Sequence, residues 1–211
     1  MDDSSNFLFV RGFIQRVSLP RGKFGPAPRF SPEDPARALL LAEKRVGRSR
    51  LARQLGVGEG TARTVLSSLS RKGLVDSAPM GVKLTGKGQE FVSGMRRRMP
   101  KVCEARPSRL TFGEHGSAAQ LRGVRLPASA LSLRDEMVRS GASGATILRF
   151  ESGRLIIPPF HAPTHREYAS ELALLSRQFS FAEGDAVLLV FGRERVARER
   201  ALFHACSLLG I

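Results

Sequence analysis

Between Gly58 and Lys72 the chain reads Gly-Glu-Gly-Thr-Ala-Arg-Thr-Val-Leu-Ser-Ser-Leu-Ser-Arg-Lys. Ala62, Val65, Leu66 and Leu69 stand at i, i+3, i+4 and i+7, one apolar stripe of a helix. The other face carries Gly60, Thr61, Arg63, Thr64, Ser67, Ser68 and Arg71, and no acid follows Glu59. A solvated face ordinarily mixes Glu with Lys. Short hydroxyls, a glycine and long cations instead suit close approach to a groove lined by phosphates, where hydroxyls and guanidinium groups meet phosphate oxygens and base edges. On that reading Arg63 and Thr64 are the first candidates for base edges, Thr61 offers a hydroxyl or methyl, and Gly60 lets the backbone come close. Arg48, Ser49, Arg50, Arg53, Ser67, Arg71 and Lys83 are candidates for phosphate contacts. An ordinary surface helix is the alternative, and one amphipathic helix alone does not decide between them.

Other residues that could do chemistry form weaker patterns. Arg134 and Asp135 precede a small-residue loop, Gly141-Ala-Ser-Gly-Ala-Thr146. Its backbone amides could hold an anionic group, which makes Arg134, Asp135, Gly141, Ser143, Gly144 and Thr146 a candidate ligand site. A helix-stop glycine and a tight turn into a strand explain the same glycines without a ligand. His161 and His165 have i, i+4 spacing, but Pro163 and Pro158-Pro159 oppose the continuous helix that metal binding would need, and no H-E-x-x-H glutamate is present. Cys103 and Cys206 lack zinc spacing, a disulfide framework or a nearby base. With no phosphate-loop or dinucleotide fingerprint, no catalytic residue, metal or cofactor is expected.

The elements that must position the cationic face come before and after it. Ser31-Pro-Glu-Asp34 reads as a capped helix start running to about Lys44. A second helix follows with Ser49 as cap, Leu51, Ala52 and Leu55 inward, and Gly56 as a left-handed stop. Gly56-Val-Gly58 is the turn into the cationic helix. Leu74–Leu84 then reads as two short strands around Pro79 and Gly81, and Thr85 caps a fourth helix. Three helices, a hairpin and a helix make a winged helix-turn-helix domain over residues 31–98.

The stretches GRSRLARQLGVGEGTARTVLSSLSRKGLV and GVKLTGKGQEF resemble the winged-helix domains of prokaryotic transcription regulators, most closely an archaeal family that pairs such a domain with a small C-terminal domain of uncertain function. The resemblance covers roughly residues 26–95. It implies that residues 58–61 open the recognition helix and residues 84–88 follow the wing. The segment Leu133–Ile147 resembles that family's C-terminal stretch.

Residues 1–30 read as an irregular basic arm with a short strand at Phe7–Val10, either a tail that touches DNA, a packed extension or the product of a misassigned start. Residues 99–108, with two prolines and no periodicity, read as a linker. From 109 to 211 the expected elements are a weak strand at 118–124, a helix at 127–140, a hairpin of Ala145–Phe150 with Arg154–Ile157, a helix at 166–179, a strand at Ala186–Phe191 and a closing helix at 194–209. This βαββαβ order suggests a ferredoxin-like domain and an α+β chain overall.

Composition bounds the partners. The chain has 211 residues, 42% hydrophobic and 25% charged, and a formal charge of +15. Residues 1–100 hold 19 Lys and Arg against 8 Asp and Glu, so most of the excess lies in the N-terminal half. Polyanions are the natural partners. The absence of a long apolar run and the two unpaired cysteines fit a cytoplasmic protein with no membrane span. The expected function is a sequence-specific regulator that binds double-stranded DNA as a homodimer, the two-fold symmetry following that of most such operators, with a C-terminal domain that assembles the dimer and takes a small-molecule effector. Two other readings stand beside it: an enzyme domain acting at Arg134–Thr146, and a non-specific chromatin or RNA-associated protein.

Overall fold

The computed structural model describes residues 12–19, 30–78, 80–127, 130–158 and 167–211. The expected strand at Phe7–Val10, residues 20–29 of the expected arm, Pro79 and the His161/His165 segment lie outside them. The chain is a mixed α/β fold, a helical N-terminal region followed by an antiparallel sheet.

The helical region opens with α1 (Phe13–Val17). Over residues 12–19 the expected arm is a packed extension, the second of the alternatives given for it. Ile14 and Val17 are buried, the Phe13 ring stands edge-on to Phe91 at 5.4 Å, and the Ile14 amide donates to Ile211 O at 2.9 Å. Two apolar residues at i, i+3 are enough to hold one turn where a larger core receives them.

Helices α2 (Asp34–Ala42), α3 (Arg48–Leu55) and α4 (Glu59–Arg71) follow, then the hairpin β1 (Val75–Ala78) and β2 (Gly81–Leu84), then α5 (Gly86–Arg98). Val46 adds one antiparallel bridge to Val82, so the hairpin is anchored between α2 and α3. Two caps differ from expectation. Ser31 does not cap α2 through its hydroxyl; the Asp34 carboxylate accepts from the Ser31 backbone amide at 2.8 Å. Gly47, not Ser49, is the N-cap of α3. Thr85 caps α5 as expected, its hydroxyl accepting from the Gly88 amide at 3.0 Å.

Residues 99–108 are not a linker. They contain β3 (Lys101–Ala105), which pairs antiparallel with β4 (Gly116–Leu121) from Lys101↔Gln120 to Ala105↔Gly116. Pro100 and Pro107 flank the strand rather than interrupt it, which is where prolines are tolerated. Beyond β4 come α6 (Ala130–Arg139), β5 (Gly144–Glu151), β6 (Arg154–Ile156), α7 (Ala169–Ser176), β7 (Ala186–Phe191) and α8 (Arg195–Leu208). The sheet order is β3-β4-β7-β5-β6, with every neighbour antiparallel. The β5–β6 hairpin turns through Ser152 and Gly153, both at positive φ, a two-residue turn that matches the twist of its strands.

A ferredoxin-like domain would place its first and third strands at the centre and both helices on one face. This sheet does neither. Its last strand, β7, lies between β4 and β5, and the helices cover both faces. Alternation along β7 shows the division: Ala186, Leu188 and Val190 share a core with Leu133 and Met137 of α6 and Leu202 and Cys206 of α8, whereas Val187 and Leu189 share one with Leu172 and Leu175 of α7. β7 is therefore buried on both sides, as its unbroken apolar run Ala-Val-Leu-Leu-Val-Phe requires.

An ionic cluster joins the helical region to α8. Asp34 is fully buried and Arg37 is 2% exposed. Arg37 and Arg200 both donate to the Asp34 carboxylate, the latter at 2.9 Å, and Arg37 also reaches Glu199. Arg37, Arg195 and Arg200 further donate to the carbonyls of Gln54 and Leu55 at the end of α3. Cations there meet the negative end of the helix dipole. His204 adds a bond to Glu33 at 2.9 Å and lies 3.8 Å from Glu136.

Two outcomes follow from this junction. Asp34→Ala removes the fully buried carboxylate shared by Arg37 and Arg200 and leaves Arg37 with Glu199 as its carboxylate partner, and stability measured by urea unfolding falls by about 3–5 kcal/mol. The hydrogen bond to Glu33 raises the His204 pKa above its ordinary 6.5. Its contribution is therefore complete below pH 6.5 and is lost as pH rises through the raised value. Thermal unfolding midpoints should decline across that window in the native chain, and His204→Gln should flatten the decline.

Candidate nucleic-acid interface

The cationic face is built on the α3–turn–α4 unit. Gly56 ends α3 at φ +69°, and a Cβ there would lie 2.6 Å from Val196 Cγ1 of α8. The left-handed turn and the close approach both require glycine. Val57 and Gly58 lead into α4, whose stripe Ala62, Val65, Leu66 and Leu69 is buried as the spacing predicts. Ser68 is buried with it, so it leaves the outer face.

On that outer face Gly60, Arg63, Thr64, Ser67 and Arg71 are exposed and Thr61 is half-buried. Arg48, Ser49, Arg50 and Arg53 are exposed on α3, and Lys83 is exposed on β2. Among the described residues, Arg48, Arg50, Arg53, Arg63 and Arg71 pair with no carboxylate. Lys83 lies 3.9 Å from Asp76, its partner across the hairpin, an exposed contact of little strength.

Three details were not legible in the sequence. The Ser49 hydroxyl donates to Glu59 Oε1 at 2.7 Å, which ties the N-termini of α3 and α4 together and holds the one acid of the face. The Thr64 hydroxyl donates back to Gly60 O at 3.2 Å, so its methyl and lone pairs are what it offers outward. A Cβ at Gly60 would meet nothing within 4 Å. No internal contact therefore demands glycine in this first turn, where it weakens the helix by roughly 1 kcal/mol relative to alanine.

The basic run Arg96-Arg-Arg98 divides. Arg96 pairs with Glu43 at 2.5 Å, Arg98 donates to the carbonyls of Arg122 and Gly123, and Arg97 is exposed.

The Arg134–Thr146 segment is not gathered into one site. Arg134 and Asp135 are exposed on α6. The Gly141, Ala142 and Ser143 amides donate to Val138 O, Met137 O and Phe191 O, so they are already taken up by the helix end and the sheet. Gly144 is buried in β5, where a Cβ would lie 2.6 Å from the Phe191 ring, and the Thr146 hydroxyl donates to Leu110 O at 2.8 Å. Leu110 belongs to the α7 side of the sheet, opposite α6. Close packing and a helix stop account for these glycines. Burial pushes the Cys206 thiol up to about 12, and it raises the Cys103 thiol as well. No helix of the described residues is long and apolar enough to cross a membrane.

Among solved structures, the chain is similar to the hypothetical protein PH0730 from Pyrococcus horikoshii OT3, at 23% identity over 83% of this chain and 90% of that one, with a TM-score of 0.73. That likeness shows a shared fold spanning both regions. S. agalactiae BusR in complex with its busAB-promotor DNA aligns over 84% of this chain and 98% of that one at 12% identity, but with a TM-score of only 0.22. No curated protein matches the chain in sequence. Residues 32–90 match the family model described as PH0730-like, N-terminal domain, and residues 112–209 match the domain of unknown function DUF4443, so the chain is similar to one family across its helical region and to the other across its sheet.

Proposed function

We propose that this protein is a sequence-specific transcription regulator, a binding protein rather than an enzyme. Its helical region acts as a winged helix-turn-helix domain, with α4 as recognition helix in the major groove of double-stranded DNA and β1–β2 as the wing. The observation that carries this reading is the exposed face of α3 and α4: five arginines without carboxylate partners, Arg48, Arg50 and Arg53 on α3 and Arg63 and Arg71 on α4, accompany a first turn of glycine and threonine with open space above Gly60. For a merely solvated helix, pairing its surface cations gains little, and a destabilising glycine in its first turn serves nothing. A helix whose backbone must approach base edges has a reason for that glycine.

Roles divide by chemistry. Arg63, Thr61 and Thr64 face the bases, and an Arg–guanine pair provides roughly 1–3 kcal/mol of discrimination. Arg48, Arg50, Arg53, Ser67, Arg71 and Lys83 meet phosphates and set register. Ser49 orients Glu59, which is thereby placed to accept from a cytosine amino group. The sheet domain assembles a cytoplasmic homodimer and senses a small effector.

Selection of genomic fragments by purified protein, at two salt concentrations, tests this. The expected result is one palindromic motif that Arg63→Ala no longer recovers. Binding spread over the genome, steeply salt-dependent and indifferent to Arg63, would establish charge-driven association instead. Arg48→Ala should weaken binding to all sequences alike and reduce the salt slope by about one. Gly60→Ala should raise stability by about 0.5–1 kcal/mol while lowering operator affinity; a gain in both would sink the close-approach role of this glycine.

A further inference from the structure

We propose that the cleft between α6, the C-terminal end of α8 and the β4–α6 loop binds an organic monoanion, an apolar body ending in a single carboxylate. The inference rests on the regulator reading, which calls for an effector without placing it. The cleft is open to solvent on one side and offers a volume of about 770 Å³, within the range of small-molecule sites. It is distinct from the Gly141–Thr146 loop, whose amides are taken up.

The chemistry of its walls selects the ligand. Leu133 of α6 is buried, Leu126 of the loop and Leu209 after α8 are half-buried, and Leu208 leaves 52% of its surface exposed. These leucines present an apolar surface to whatever enters. Three arginines also line the cleft, and two are occupied: Arg98 by the Arg122 and Gly123 carbonyls, Arg139 by Glu136. Arg125 has no partner among the described residues. One available guanidinium beside apolar walls matches one carboxylate, which it can hold in a bidentate pair. Asp135, exposed and without an ion-pair partner among the described residues, lines the same cleft and repels a second negative charge, so phosphate dianions fit poorly.

The cleft also touches the parts that position the DNA face. Arg98 is the last residue of α5 and binds the loop that carries Arg125. α8 lines the cleft at its C-terminal end and carries Arg195 and Arg200, which hold the α3 carbonyls. A ligand seated here contacts the same helix that supports the turn before α4.

Thermal unfolding and titration calorimetry of the full chain test the site, with octanoate and 3-phenylpropionate as probes and octanol and inorganic phosphate as controls. The carboxylates should raise the unfolding midpoint saturably and the controls should not. Arg125→Glu should weaken carboxylate binding roughly 10- to 100-fold, while Arg154→Glu, the same charge change on β6, should leave it intact. No saturable effect from either carboxylate, an equal effect from phosphate or octanol, or full retention in Arg125→Glu would each overturn the proposal. Because this binding is read on the protein alone, its failure leaves the DNA selection untouched, and failure of the DNA selection leaves it untouched.

Discussion

Asp34 is the group on which the arrangement of this molecule turns. A carboxylate with no solvent exposure is strongly disfavoured unless charge and hydrogen bonds surround it. The Ser31 amide, Arg37 and Arg200 do so, from the entry to α2, from α2 itself and from α8. Satisfying one buried charge therefore brings a helix near residue 200 against one near residue 34. The arginines then reach onward to the Gln54 and Leu55 carbonyls, so the end of α3 is held by the same cluster.

The candidate interface depends on that cluster. Gly56 follows Leu55 directly and presses on Val196 with no room for a side chain. The turn is thus packed against the sheet domain, and the direction in which α4 leaves it is set from behind. At the other end of the unit, Ser49 and Glu59 lock the two N-termini that the proposed contact would use. A unit held at both ends fixes the backbone from which its arginines extend, and the proposed discrimination among sequences depends on that, whereas charge alone would serve for mere attraction.

The sheet shows how the two regions share one core. Its α6/α8 face contributes to the cluster that includes Leu39, Leu51, Leu55 and Leu69 of the helical region, while the α7 face closes a separate cluster. β7 occupies the centre because it is, among the described strands, the one apolar at every position, and α7 takes the far face because Tyr168, Leu172, Leu175 and Phe179 need a surface that α6 and α8 leave open. The proposed cleft forms where α6 and the end of α8 meet the loop held by Arg98.

The sequence by itself determined the local elements. The 3.6-residue stripe of α4, the Gly56 stop, the Thr85 cap, the Ser-Gly hairpin turn and the apolar run of β7 are short-range patterns, and the structure places each where its pattern puts it. The exposed cations of α3 and α4 were legible for the same reason, since period and charge say which way a side chain faces. The linker that is β3, the order of the strands, the side of the sheet that α7 covers and the partners of Asp34 were decided only by tertiary structure. A strand of moderate apolarity gains its stability from the edge it joins, and the buried Asp34, beside its local partners Ser31 and Arg37, takes its third from Arg200, 166 positions away. Neither leaves a periodic mark in the chain.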